Sequence, residues 1–114
     1  MILFIFIPLL LFWVGCEAFP TDQLIKDLTH SASEKRRKAG YRLVDQGDQA
    51  VPPLLEAMEM GSDTLRYIGA QILGRIGSPR AKKMLLNLSH DENLYVQREA
   101  ILSLSKIRVP ALID

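Results

Sequence analysis

The stretch Leu65-Arg66-Tyr67-Ile68-Gly69-Ala70-Gln71-Ile72-Leu73-Gly74-Arg75-Ile76-Gly77 decides the fold of this chain. Leu65, Ile68, Gly69, Ile72, Leu73 and Ile76 recur at steps of three and four residues, so they share one face of an α-helix. The pattern returns at a period of about thirty residues, the spacing of helical-repeat proteins. Upstream, Ala39, Gly40, Leu43 and Val44 correspond to it; downstream, Val96, Ala100, Leu104 and Ile107 do, after one extra loop residue. A shorter amphipathic segment precedes each copy, with apolar positions Thr21, Leu24, Ile25, Leu28, then Val51, Leu54, Leu55, Met58, then Ala81, Met84, Leu85, Leu88. Helix pairs repeated in register predict an all-α solenoid of three helical hairpins, each burying its apolar face against its neighbours. The first copy is the most polar, as a terminal repeat facing water should be.

Boundary signals agree with this reading. Ser31-x-x-Glu34 and Ser89-x-x-Glu92 have the form of capping boxes. Ser78-Pro79 sets a capping serine before a proline at a first helical position, and Pro52 and Pro53 fall in a first turn, where a missing amide costs little. Gly47, Gly61 and Gly77 stand where helices should stop. Small residues inside the second helices, Ala39-Gly40, Gly69-Ala70 and Ala100, are expected to admit a neighbouring helix closely, which offsets the roughly 1 kcal/mol a helical glycine costs.

Leu65-Arg66-x-x-Gly69-Ala70-x-Ile72-Leu73-Gly74-x-Ile76-Gly77 resembles a HEAT-like repeat of the short kind associated with phycobilisome bilin lyases. The resemblance runs from about Pro20 to Ile107. It implies an interaction scaffold whose second helices line the concave side, with Asp/Arg pairs linking successive repeats; Asp63 with Arg66 and Asp91 with Arg98 fit that role. A lyase activity is not expected, because the chain is too short for that role alone and Cys16 lies outside the repeat.

Outward from the repeats, Met1 to Val14 is almost wholly apolar, shorter than the about 20 residues a spanning helix needs and suited to a signal peptide. Trp13-Val14-Gly15-Cys16 resembles a bacterial lipobox, with Trp13 in place of the usual leucine and Cys16 as the candidate lipidated residue. An ordinary signal peptide cut near Ala18, or an uncleaved anchor, are the alternatives. The expected organisation is a signal or lipobox-like segment over residues 1–16, a repeat domain over 20–108 and a C-terminal tail over 109–114. That tail starts like another hairpin, as Val51-Pro52-Pro53-Leu54-Leu55 does, so either it folds back as a partial cap or a partner covers the last hairpin.

Composition narrows function. A formal net charge of +1 argues against a dedicated nucleic-acid binder. A single cysteine excludes an intramolecular disulfide, and His30 and His90 are too few to complete a Cys/His metal cluster. No nucleophile–histidine arrangement, phosphate-cradling glycine loop or paired carboxylates stands out, so neither catalysis nor a cofactor is expected. The candidate partner-binding residues lie on the second helices: Lys35, Lys38, Tyr41, Arg42, Arg66, Tyr67, Arg75, Tyr95 and Arg98. The expected function is a non-catalytic protein-binding scaffold at a bacterial envelope, lipid-anchored or secreted. An accessory subunit of a lyase or maturation enzyme, or a piece of a longer solenoid, is the alternative.

Overall fold

The structure, a computed structural model, describes residues 20–107. The 1–16 segment with Cys16 and the 109–114 tail lie outside the described residues. Among the described residues, six α-helices form three hairpins: α1 (Thr21–Asp27) with α2 (Ser33–Gln46), α3 (Val51–Glu59) with α4 (Asp63–Ile76), and α5 (Lys82–Leu88) with α6 (Leu94–Lys106). Short 3₁₀ turns, Gly47–Ala50 and Pro79–Ala81, lead into α3 and α5.

The hydrophobic periods explain the stacking. Leu28, Leu43, Leu54, Met58, Leu73, Leu85 and Val96 are fully buried in one continuous core drawn from all six helices. The first-helix stripe is buried as expected, with Thr21, Leu55 and Met84 half-buried at its margins. Ser103 is the unanticipated core residue: it is fully buried, and its hydroxyl donates to the Ala70 carbonyl of α4 at 2.7 Å. That bond satisfies a polar group whose burial without a partner costs about 1–3 kcal/mol.

The helix ends follow the expectation in part. Ser78 caps the Pro79–Ala81 turn by accepting the Arg80 amide at 3.3 Å, and the pair Pro52-Pro53 opens α3. Gly47 and Gly77 take positive φ, 66° and 74°, a region with little steric cost for glycine alone. Gly61 does not; there the absent Cβ makes room for Leu65, whose Cδ2 would lie 2.8 Å away.

Neither capping box forms. Helix α2 begins at Ser33 with Ala32 as its uncapped entry, and the Glu34 carboxylate turns to Arg37 at 2.7 Å, a charge-assisted bond stronger than one to a neutral amide. The loop is closed by His30, whose Nδ1 accepts the Ala32 amide at 3.0 Å, in keeping with a loop role for this histidine. Ser89 ends α5, and α6 starts later under Asn93, whose side chain accepts the Tyr95 and Val96 amides at 2.9 and 3.2 Å. The extra loop residue moves the start, so that Val96 and Ala100 reach the core. Ser62 caps α4 in the same way, accepting the Leu65 amide at 3.2 Å.

The two junctions between successive second helices differ. Helix α6 packs extensively on α4, where small residues meet: a Cβ on Gly74 would fall 2.6 Å from the Ser103 hydroxyl and 3.0 Å from its Cα. Helix α2 touches α4 far less, and a Cβ on Gly40 would meet none of the described residues within 4 Å. The expected close approach therefore holds at Gly69, against Met58, and fails at Gly40. The repeat register explains the difference. Val44 on α2 occupies the position that Gly74 holds on α4, and Ile72 on α4 occupies the position that Ser103 holds on α6. Bulk at both positions holds α2 and α4 apart, whereas glycine and serine let α4 and α6 close.

Candidate partner-binding groove

The space between α2 and α4 is a groove of about 320 Å³. Leu28, Gly40, Ile68 and Ile72 supply its apolar surface; Ser33, Arg36, Arg37, Tyr41, Gln71 and Arg75 supply its polar surface. Three guanidinium groups border it, and no carboxylate among the described residues lines it.

Local interactions position Arg36 and Arg37. Arg36 donates from one terminal nitrogen to the carbonyls of His30 and Ser31, at 2.6 and 3.0 Å, so the loop entering α2 fixes its guanidinium. Arg37 holds Glu34 one turn earlier through two hydrogen bonds, at 2.7 and 3.2 Å, and lies 5.7 Å from the centre of the Tyr41 ring. That hydrogen bonding, with the nearby positive charge, draws the Glu34 carboxyl below its ordinary pKa. Tyr41 is 53% exposed, an aromatic surface with few rotamers to order on contact. Arg75 is exposed on the opposite wall.

Tyr41 and Arg75 are thus the two sequence candidates that this groove unites. Lys35 and Lys38 are exposed but do not line it, and Lys38 approaches Glu34 at 3.8 Å. Arg42 is half-buried and also outside it. A helix turns roughly 100° per residue, so 36, 37, 40 and 41 form one face that excludes 35, 38 and 42. Arg36, Arg37, Gly40 and Gln71 line the groove without having been among the candidate binding residues; Arg36 and Arg37 stand in the charge run 34–38, and their i, i+4 spacing to Gly40 and Tyr41 was the available signal.

Arg66 has a different role. It joins repeats two and three, donating to Asp91 at 2.8 Å, to Asp63 at 2.6 Å and to the Gly61 carbonyl at 2.8 Å. Asn93 extends the link by donating to Asp63 at 3.1 Å. Burial would raise the Asp91 carboxyl, but the bonds from Arg66 and the Asn93 amide outweigh it and leave the pKa below the ordinary value. The inter-repeat Asp/Arg link therefore exists, with Arg66 taken up by it. Arg98 is not its counterpart. Gln97 is, reaching back to the Asp91 carbonyl as Arg36 does to His30, while Arg98 is exposed on α6. The loop insertion shifts the correspondence by one residue.

Tyr67 and Tyr95 meet at a second, shallower hollow of about 240 Å³ with Asp63, Thr64 and Asn93. Tyr67 packs partly on the core, while Tyr95 is 70% exposed. Across the first helices, a third hollow carries Asp22, Lys26 and Glu56 beside Ile25 and Met60, a surface of mixed charge. Among the described residues, no group of three or more His, Cys, Asp or Glu side chains is arranged to hold a metal ion, and no helix is long and apolar enough to cross a membrane.

Stacked helical hairpins with a groove along their second helices define a short α-solenoid. The chain belongs to the HEAT repeats family, which matches residues 51–114, more than half of its length. HEAT repeats are generally protein-interaction motifs, which fits a scaffold that takes a protein partner. Among curated proteins no relative matches the chain.

Proposed function

We propose that this protein is a non-catalytic scaffold at a bacterial envelope that receives a protein partner in the groove between α2 and α4. One observation carries the choice of surface: Gly40. A glycine inside a helix costs roughly 0.5–1 kcal/mol relative to alanine, and packing gives no return for it among the described residues, none of which a Cβ would meet within 4 Å. Its effect is to deepen a groove bordered by Arg36, Arg37, Tyr41 and Arg75, residue types enriched where partners bind. The envelope assignment rests on the apolar Met1 to Val14 segment and the Gly15-Cys16 pair after it.

A photo-crosslinking side chain placed at Tyr41 in the full chain, expressed in bacteria, tests the surface. The expected result is a discrete protein adduct in the membrane or periplasmic fraction, absent when the same group replaces Met60 on the first-helix side. Equal adducts from both positions would refute the groove as the binding surface. Mass spectrometry of the mature amino terminus tests the compartment: acyl chains on Cys16 establish a lipid anchor, cleavage near Ala18 establishes secretion, and an intact Met1 in a cytosolic fraction removes the envelope assignment.

A further inference from the structure

We infer that the α2/α4 groove selects a segment in which carboxylate side chains alternate with apolar ones, an acidic-hydrophobic stretch of the partner protein; this rests on the groove being the binding surface. Charge complementarity chooses the occupant. Arg36, Arg37 and Arg75 border the cavity and no carboxylate among the described residues lines it, although the whole chain carries a net charge of only +1. Arg37 is already bonded to Glu34, so the positive character of this groove rests chiefly on Arg36 and Arg75. Arg36 is anchored by two loop carbonyls through one terminal nitrogen, so its guanidinium is held in place before any partner arrives. Preorganisation of this kind lowers the ordering cost of binding.

The apolar side chains settle the rest. Ile68 and Ile72 face the cavity opposite Gly40, and a cavity of about 320 Å³ takes a few side chains, not a folded domain. A purely ionic ligand would leave that apolar surface wet. A lipid surface is planar and cannot enter a concave groove, and a phosphodiester chain calls for a broader basic face than three arginines. Carboxylates set between leucine-like residues satisfy both halves of the lining: guanidinium pairs carboxylate in a two-pronged geometry, and the alternate side chains cover the isoleucines.

Titration of fluorescent probe peptides into the full chain in detergent tests this by anisotropy. The probes are a short Leu-Glu alternating peptide and its Leu-Gln and Leu-Lys counterparts; phosphatidylglycerol vesicles are tested separately, by co-sedimentation of the full chain without detergent. The Leu-Glu probe should bind at least roughly tenfold more tightly than the Leu-Gln probe, and weaken as salt rises from about 50 to about 200 mM. Arg75→Glu and Gly40→Leu should each abolish that preference, while Lys83→Glu on α5 leaves it unchanged. Circular dichroism distinguishes blocked binding from lost folding in Gly40→Leu, and Arg75 is exposed, so that variant keeps the fold. Equal binding of Leu-Gln or Leu-Lys, indifference to Arg75→Glu, or vesicle binding that Arg75→Glu removes each overturns the proposal. If the Tyr41 crosslink persists while the Leu-Glu probe fails, the acidic-hydrophobic occupant is wrong and the groove stands. Loss of that crosslink removes both.

Discussion

Glycines in these helices carry opposite meanings, and their neighbours decide which. At Gly74 an added methyl would run into the Cα of Ser103 at 3.0 Å, backbone that cannot move alone. Overpacking costs about 1–3 kcal/mol, more than the roughly 1 kcal/mol that alanine gains in a helix. Gly74→Ala should therefore lower stability by about 1–2 kcal/mol in denaturant melts. At Gly69 the nearest atoms belong to the flexible Met58 side chain, with its sulfur at 2.5 Å, so Gly69→Ala should cost less than Gly74→Ala. At Gly40 the same change meets open space and should raise stability by about 0.5–1 kcal/mol. A destabilised Gly40→Ala would contradict the open groove.

Helix ends and the links between hairpins form the next level. Asn93 caps α6 through two amides, so Asn93→Ala should cost about 1 kcal/mol, and more if the bond to Asp63 counts toward the stack. The Arg66–Asp91 pair is largely shielded, at 18% and 9% side-chain exposure, and joins two repeats. Asp91→Asn replaces a charge-assisted pair by a weaker one and should lower stability by about 2 kcal/mol at neutral pH. Because the folded-state pKa of Asp91 is depressed, its contribution is fully present above the unfolded value near about 3.9 and is lost as pH falls through the folded value. Thermal melts should show the native chain losing stability below about pH 4, with a shallower loss in Asp91→Asn. Equal acid sensitivity in both chains would show that other carboxylates govern this window.

For the molecule as a whole, stacking is nearest-neighbour, so the two junctions should fail separately. The α4/α6 junction is close and hydrogen-bonded through Ser103, whereas α2 leans on α4 with little contact. Native-state hydrogen exchange should therefore show α1 and α2 opening at lower free energy than α4 and α6. Uniform protection across the three hairpins would mean that the groove does not loosen the stack. On α6, Ile101 and Leu102 are 56% and 50% exposed; the tail suggested as a cap for this hairpin lies outside the described residues.

The sequence by itself determined the helices, their pairing and the apolar core, though not Ser103 within it, because a period near 3.6 inside a period near thirty leaves one way to bury Leu28, Leu54, Leu73 and Leu85 together. It also marked Ser78 as a cap and an Asp/Arg link between repeats. Tertiary structure decided which lookalike residues share a duty. Arg66 is absorbed by two aspartates, Arg98 is displaced by one inserted residue, and Arg36 rather than Lys35 reaches the groove. The groove itself arises from a difference between junctions, Val44 and Ile72 in one against Gly74 and Ser103 in the other. Each side chain reads locally as core or as small packing residue, and only the distance between helices turns the combination into a binding surface.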